Sequence, residues 1–303
     1  MSSVFVSIFM LTYNQENFIG HTIESILCQK TDFNFQLVIG EDCSTDRTTE
    51  ICEDYAEKYP QKIKLLKSKK NIGLIQNFIQ TFKECKGKYV AICDGDDYWI
   101  DVLKLQKQVS FLESNPDFYI TYTAVNFLYP NGEVHIKKGA DLPNVSDFKD
   151  LIFKNFIPSV SVLFRNIQLK EEFPSWLDDL PYGDWPIYLW TIRSGKKIKY
   201  FDEVTAVYRK EIGVSEKLKR VPSDIAKVNL KIIENIYNDP KFSSHRAIIK
   251  ESLVQHKFSL MACLFREKNY SQSLRLAKSL WKFHPVKVMR IYLFLLKRNF
   301  FRT

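Results

Sequence analysis

The chain has 303 residues, enough for one large domain or one domain with an appendage. With 45% hydrophobic and 26% charged residues it is neither disordered nor of low complexity. Its net charge of +9 is unevenly placed: residues 216–303 carry 19 Lys+Arg against 6 Asp+Glu, net +13, which leaves residues 1–215 with 25 against 29, net −4. A basic tail beside an acidic body argues against an active groove built for nucleic acid and for docking to an anionic surface. The start, Met1-Ser2-Ser3-Val4-Phe5, has neither a basic stretch nor a long apolar one, and no apolar run reaches the roughly 20 residues of a membrane span. A cytoplasmic protein is therefore expected. The six cysteines, Cys28, Cys43, Cys52, Cys85, Cys93 and Cys263, lack paired CxxC spacing and are expected to be reduced.

In chain order, the pattern predicts a buried strand at Val4–Leu11, a helix at Glu16–Gln29, a strand at Phe35–Ile39 and a helix at Thr45–Tyr59. A strand at Ile63–Leu66, a helix at Leu74–Cys85 and a strand at Tyr89–Cys93 follow. Repeated βα units of this kind imply a mostly parallel α/β sheet with helices on both faces. After Asp97 the prediction runs helix Val102–Leu112, extended Tyr119–Tyr129, a turn at Pro130-Asn131-Gly132, a short helix Asp147–Lys154 and a strand Ser159–Phe164. A helix at Pro186–Arg193 and a strand at Ile198–Tyr208 complete this part. Beyond Pro222 the chain reads as helical, broken at Pro240 and Pro285, with Ala262–Pro285 as a helical hairpin. The expected division is 1–218, itself split into 1–97 and 98–218, and a basic helical region 219–303.

Ligands of an open parallel sheet bind outside the carboxyl ends of its strands. Three polar clusters fall there: Thr12-Tyr13-Asn14, Glu41-Asp42 and Asp94-Gly95-Asp96-Asp97. Three acids within four residues at a strand end need a cation or water. Mg²⁺ or Mn²⁺ suits one or two carboxylates supplemented by phosphate oxygens, while a solvated acidic turn is the alternative.

Four segments together are more specific than any one: Ser7 to Asn14, Glu41 to Asp46, Asn71-Ile72-Gly73, and Asp94-Gly95-Asp96-Asp97-Tyr98-Trp99. In order and spacing, over about 210 residues, they resemble the family 2 glycosyltransferases of the GT-A (Rossmann-like) fold. The resemblance implies an inverting enzyme that moves a sugar from a nucleotide-sugar, expected to be a UDP-sugar, to a saccharide or lipid-linked saccharide in surface-polysaccharide synthesis. It implies nucleotide-sugar contacts from Thr12, Tyr13, Asn14, Glu16, Asp42, Asn71, Gly73, Asp94, Gly95, Asp96 and Arg209. Asp42 would accept from a uracil-like imide, and Gly73 would allow close backbone approach. Asp96 would hold a Mn²⁺ or Mg²⁺ cofactor, with Asp97 able to share it. Read by themselves, Tyr13 could simply pack at the strand end and Asp42 could cap the next helix.

Pro181-Tyr182-Gly183-Asp184-Trp185-Pro186 resembles the family segment that presents the catalytic base, assigned here to Asp184, with Asp178 and Asp179 as rivals. Asp184 could instead cap its helix. In Val207-Tyr208-Arg209 and Gly213-Val214-Ser215 the chain resembles the family's closing loop, but Glu211 stands where a His is common. Glu211 is thus a third candidate metal ligand, or an exposed loop acid. Trp99 and Trp185 could cover an acceptor sugar, or anchor the core. Alternatives to the transferase are an impaired saccharide- or nucleotide-sugar-binding protein and a nucleotidyltransferase; the latter lacks its Gly-rich phosphate loop after the first strand.

Pro285 to Thr303 sets Lys287, Arg290, Lys297, Arg298 and Arg302 within about 140° of a helix circumference. Such a helix could lie on the anionic inner face of a membrane, making the protein peripheral, or could pack on the body with a solvated basic side.

Overall fold

A computed structural model describes residues 4–137, 144–212 and 221–300, with side chains through Lys297. The chain forms two compact units, Met1–Leu151 with Asn155–Leu218, and Ile152–Lys154 with Lys219–Thr303.

In the first unit the strands and helices alternate as β1 (Val6–Thr12), α1 (Ile19–Leu27), β2 (Phe35–Glu41), α2 (Thr48–Lys58), β3 (Ile63–Lys67), α3 (Leu74–Lys83) and β4 (Tyr89–Ile92). β1 is buried along its whole length, which explains why it is apolar but for Ser7 and the terminal Thr12. Its side chains alternate between two covered faces: Val6, Ile8 and Met10 pack with Ile19, Ile23 and Ile26 of α1. On the other face Phe9 meets Phe78 and Phe82 of α3, with ring centroids 4.8 and 5.6 Å away. Helices therefore cover both faces here, as the sequence pattern predicts.

The remaining elements of this unit are β5 (Tyr98–Trp99), α4 (Lys104–Ser114), β6 (Phe118–Leu128), β7 (Val134–Lys137), β8 (Val145–Ser146), α5 (Phe148–Leu151), β9 (Leu163–Arg165), α6 (Asp184–Ile192) and β10 (Lys197–Arg209). Among the described residues these strands join one sheet in the order β3-β2-β1-β4-β9-β6-β10-β5, with β7 on β6 and β8 on β10. The first four are parallel. Beyond β4 the sheet is mixed, because β9 runs antiparallel to both β4 and β6, and β5 antiparallel to β10. Ser159–Phe164 is not one strand: Ser159–Ser161 is a 3₁₀ turn, and pairing starts only where Leu163 meets Ala91 near the end of β4.

The register lines up the chemistry. Thr12 lies level with Glu41, and the β1–β4 pairing continues past Ile92 through Cys93 N–H to Phe9 O and Gly95 N–H to Leu11 O. Thr12, Glu41-Asp42 and Asp94 so reach the same carboxyl edge. α1 starts three residues later than predicted, as does α2, because Tyr13–Phe18 and Ser44–Arg47 form the loops of that edge.

The second unit is helical: α7 (Pro222–Asn238), a 3₁₀ turn (Pro240–His245), α8 (Arg246–Arg266), α9 (Tyr270–Trp281) and α10 (Pro285–Phe300). Pro222, Pro240 and Pro285 each open an element, where a missing N–H costs no hydrogen bond. One core joins Ala226 and Leu230 of α7 to Leu260 and Leu264 of α8. A second joins Phe258 and Met261 of α8 to Ala277, Leu280 and Val288. Among the described residues no helix is long and apolar enough to cross a membrane.

Candidate active site

The acid loop is built around a glycine. A Cβ on Gly95 would lie 2.4 Å from Gln15 Oε1 and 2.9 Å from Thr12 Oγ1 and Ile19 Cδ1, so any side chain would displace the loop after β1. Thr22 Oγ1, on α1, lies 3.0 Å from the Gly95 carbonyl and 2.6 Å from that of Asp97. At the next residue, β5 pairs with β10 through Tyr98 and Val207, which brings Arg209 back over the loop. The Arg209 N–H donates to Asp97 Oδ1 at 2.8 Å, and its guanidinium donates to the Asp96 carbonyl. That guanidinium lies 4.5 Å from the Tyr98 ring centroid and 4.9 Å from that of Phe18, with Nη2 3.2 Å from His21 Nδ1.

The predicted phosphate-binding Arg209 is thus caged by residues the sequence reading did not select, Phe18 and His21, and by Tyr98. Asp97 ties two loops together with one oxygen and keeps its other oxygen.

Asp184 opens α6, where its own N–H and that of Trp185 stabilise the carboxylate, and Asn155 Nδ2 donates to Oδ2 at 2.9 Å. Burial outweighs these bonds and raises its pKa. Asp94 is pushed up to about 7, first by burial, then by the charge of Asp96, with Asp184 adding to it. Burial, followed by Asp96, holds the Asp97 proton well above the usual carboxylate range. Asp184 therefore lies within electrostatic reach of Asp94, although 90 positions separate the two. Acids that raise one another's pKa in a partly dry site are those a cation would return to their charged forms. The rivals Asp178 and Asp179 are exposed at the end of a 3₁₀ turn.

On the β1–β2 side much of the predicted nucleotide set braces the edge. Asn14, at a φ of 53°, donates its N–H to Ser44 Oγ at 3.0 Å and accepts from the Thr45 N–H at 2.8 Å. Glu16 Oε2 accepts from the Arg47 N–H at 2.9 Å, and Asp46 Oδ2 accepts in return from the Glu16 N–H at 3.1 Å. Asp42 caps no helix. Its two oxygens accept from the Ile72 N–H at 2.8 Å and the Gly73 N–H at 3.0 Å, while Asn71 Nδ2 donates to the Asp42 carbonyl at 3.2 Å. Each Asp42 oxygen keeps a second lone pair. Tyr13 is half-buried at the end of β1.

A Cβ at Gly73 would meet no protein atom within 4 Å, so packing within the chain does not demand glycine there. Its backbone, at φ 84° and ψ 160°, is the reason for glycine. Gly73→Ala is expected to cost about 1–3 kcal/mol of stability, seen as a lower urea midpoint at unchanged slope.

Both tryptophans lie in the core rather than at a sugar face. Trp99, 4% exposed, donates its indole N–H to the Val160 carbonyl at 2.8 Å; Trp185, 2% exposed, donates to the Leu151 carbonyl at 2.9 Å. Glu211 is exposed in a left-handed turn at φ 64°, while Gly213-Val214-Ser215 lie outside the described residues. Among the described residues no group of three or more His, Cys, Asp or Glu is arranged to hold a metal. The acid loop offers one or two carboxylate donors, the partial set that suits a Mg²⁺ or Mn²⁺ whose other ligands come from phosphate and water.

Residues 7–161 match the family model described as Glycosyl transferase family 2. An uncharacterized protein of Mycobacterium tuberculosis is 35% identical over 213 residues, 68% of this chain and 58% of its own length. The chain therefore spans under two thirds of that relative. A dTDP-rhamnosyl transferase of Shigella flexneri, RfbG, is 26% identical across 95% of this chain and 98% of its own. Among solved structures, TarS 1–349 of S. aureus in complex with UDP-GlcNAc superposes with a TM-score of 0.65 at 20% identity, covering 98% of this chain and 91% of that one. At that identity the superposition speaks for the fold alone, GT-A. The strand-end motifs, the acid loop and the family match together place this chain among the family 2 glycosyltransferases.

Proposed function

We propose that the chain is an inverting, metal-dependent glycosyltransferase that moves a sugar from a UDP-sugar to a hydroxyl of a saccharide or lipid-linked saccharide in surface-polysaccharide assembly. The observation that carries the reading is the placement of Asp184, at the start of α6, within electrostatic reach of Asp94 at the end of β4. A displacement at an anomeric carbon needs a carboxylate base for the incoming hydroxyl and charge stabilisation for the leaving diphosphate, and these two elements supply one each. TarS in its UDP-GlcNAc complex and RfbG, by its dTDP-rhamnosyl name, both point to a pyrimidine nucleotide. A uracil or thymine imide N–H could be met by a remaining Asp42 lone pair.

In this reading Thr12, Tyr13, Asn71 and Gly73 line the base and ribose, and Asp94 faces the sugar. Asp96, with the free-standing oxygen of Asp97, holds Mn²⁺ or Mg²⁺. When bound, that ion neutralises charge on the diphosphate. Arg209, held by its aromatic cage, presents its remaining N–H donors to the same oxygens. Asp184 accepts the acceptor's proton, and Asn155 keeps its carboxylate oriented. Residues 1–218 carry the catalysis and 219–303 form the appendage, on the cytoplasmic side of the membrane.

The test is nucleoside diphosphate release from a panel of UDP-, dTDP- and GDP-sugars with Mn²⁺ or chelator. Turnover of a UDP-sugar that needs the metal is expected; release independent of metal, or none from any donor, overturns the assignment. In the same assay Asp96→Ala is expected to weaken metal-dependent donor binding at least about tenfold, as chelation does to the unaltered protein.

A further inference from the structure

α10 has two apolar faces, and only one of them is used within its unit. Val288, Ile291, Tyr292 and Leu295 turn inward; the first three pack with α8 and α9, and the Tyr292 hydroxyl lies 2.7 Å from Ser273 Oγ. Val286, Met289, Leu293 and Leu296, spaced 3, 4 and 3 residues apart, fall within about 80° of one another on a different side of the helix. They are exposed by 56, 48, 50 and 40%. Just before the helix, the turn from α9 adds Trp281 at 52% and Phe283 at 72%. A packed helix normally shows polar residues opposite its buried stripe, so a second apolar stripe needs a partner.

The charge around the stripe says what kind. Residues 268–303 hold nine Lys and Arg and no Asp or Glu. Arg290 and Lys297 border the stripe, roughly 20–40° beyond Val286 on the helix circumference. Lys278 and Lys282 lie exposed on α9 and in the turn. A second copy of the chain across a twofold axis would oppose these cations with their own equals, with no acid in the segment to answer them. Nucleic acid would use the cations and leave the apolar stripe unexplained.

We infer that the α9–α10 hairpin is a membrane-docking face, with Trp281, Phe283, Val286, Met289, Leu293 and Leu296 entering the headgroup boundary of a leaflet rich in anionic phospholipid. Arg290, Lys297, Lys278 and Lys282 meet the lipid phosphates. Aromatic and aliphatic side chains of this kind settle at the polar–apolar boundary, and each cation at the surface is worth about a factor of five in partitioning. The face rests on the second unit alone and would stand even if the transferase assignment failed.

The test is flotation of the full chain with vesicles of pure phosphatidylcholine and of phosphatidylcholine with 30 mol% (about one lipid in three) phosphatidylglycerol, an anionic fraction in the range that attracts polybasic segments. Binding to the anionic vesicles only is expected. It should fall at least about tenfold in Phe283→Ser/Leu293→Ser and again in Arg290→Glu/Lys297→Glu. Circular dichroism and nucleoside diphosphate release, unchanged in both variants, distinguish loss of docking from loss of fold or catalysis. Absence of anionic-vesicle binding overturns the inference. So does binding that the charge variant abolishes but the apolar variant leaves intact, self-association that the apolar variant dissolves, or equal binding to DNA.

Discussion

Asp184→Asn is expected to bind the donor within about twofold of the unaltered protein and to lose transfer by about 10²–10⁴-fold, the range of a positioned general base. The substitution can keep the bond from Asn155. Asn155 Nδ2 donates to Asp184 Oδ2 at 2.9 Å, and an amide oxygen accepts that bond as a carboxylate does. What disappears is the ability to take a proton. Asp184 is also raised by burial, so its carboxylate is a stronger base than a solvated one. Donor affinity by calorimetry and nucleoside diphosphate release with acceptor separate the two effects. Turnover within tenfold of the unaltered protein would exclude Asp184 as the base. Parallel loss of binding and turnover would instead make it part of the donor site. Asn155→Ala leaves the carboxylate but frees its orientation, so it should lower kcat with less effect on donor affinity.

The parallel half of the fold was legible because β1, β2 and β4 are buried on both faces and carry continuous apolar runs, and because α1 and α3 present clear stripes. Strand ends could be read too, and with them Thr12, Asp42 and Asp94. The second half was less legible. β5 has two residues and is defined by its pairing with Val207 and Ala206, more than a hundred positions away, a non-local contact that no local pattern encodes. That pairing places Arg209 on Asp97, so the caging of Arg209 by Phe18 and His21 was invisible for the same reason. Asn155 escaped because its link to Asp184 spans 29 positions of irregular chain. At Gly73 the need for glycine is readable from the sequence, but the positive φ that also demands it is visible only in the coordinates. Trp99 and Trp185 were open between core and sugar face, and their buried indole N–H bonds place them in the core.

The largest stability effect should come from a residue that composition would put on the surface. Lys104 is wholly buried on α4, its Nζ 2.8 Å from Gln108 Oε1 and 4.4 Å from the centroid of the Trp99 ring. Gln108 in turn donates to the Ser161 carbonyl at 2.9 Å, so the amine sits at the end of a short buried chain of polar groups. Burial pushes its pKa down to about 7, against smaller opposite effects of Cys93 and Asp101. The folded pKa lies below the unfolded one, so between those values the unfolded chain binds a proton the folded chain lacks, and stability rises with pH. Below about pH 7 both states are protonated and the contribution is at its least favourable. From pH 7 to 9 the unaltered protein should gain about 2 kcal/mol from this group. Lys104→Met, close in volume and without a charge, should be the more stable protein at pH 7 by about 1–3 kcal/mol, after the loss of the Gln108 bond and the contact with Trp99. Its advantage should shrink by about 2 kcal/mol by pH 9. Urea unfolding of both proteins at the two pH values measures this directly. If the two curves stay parallel, the amine is hydrated in the folded state and its burial carries no electrostatic cost.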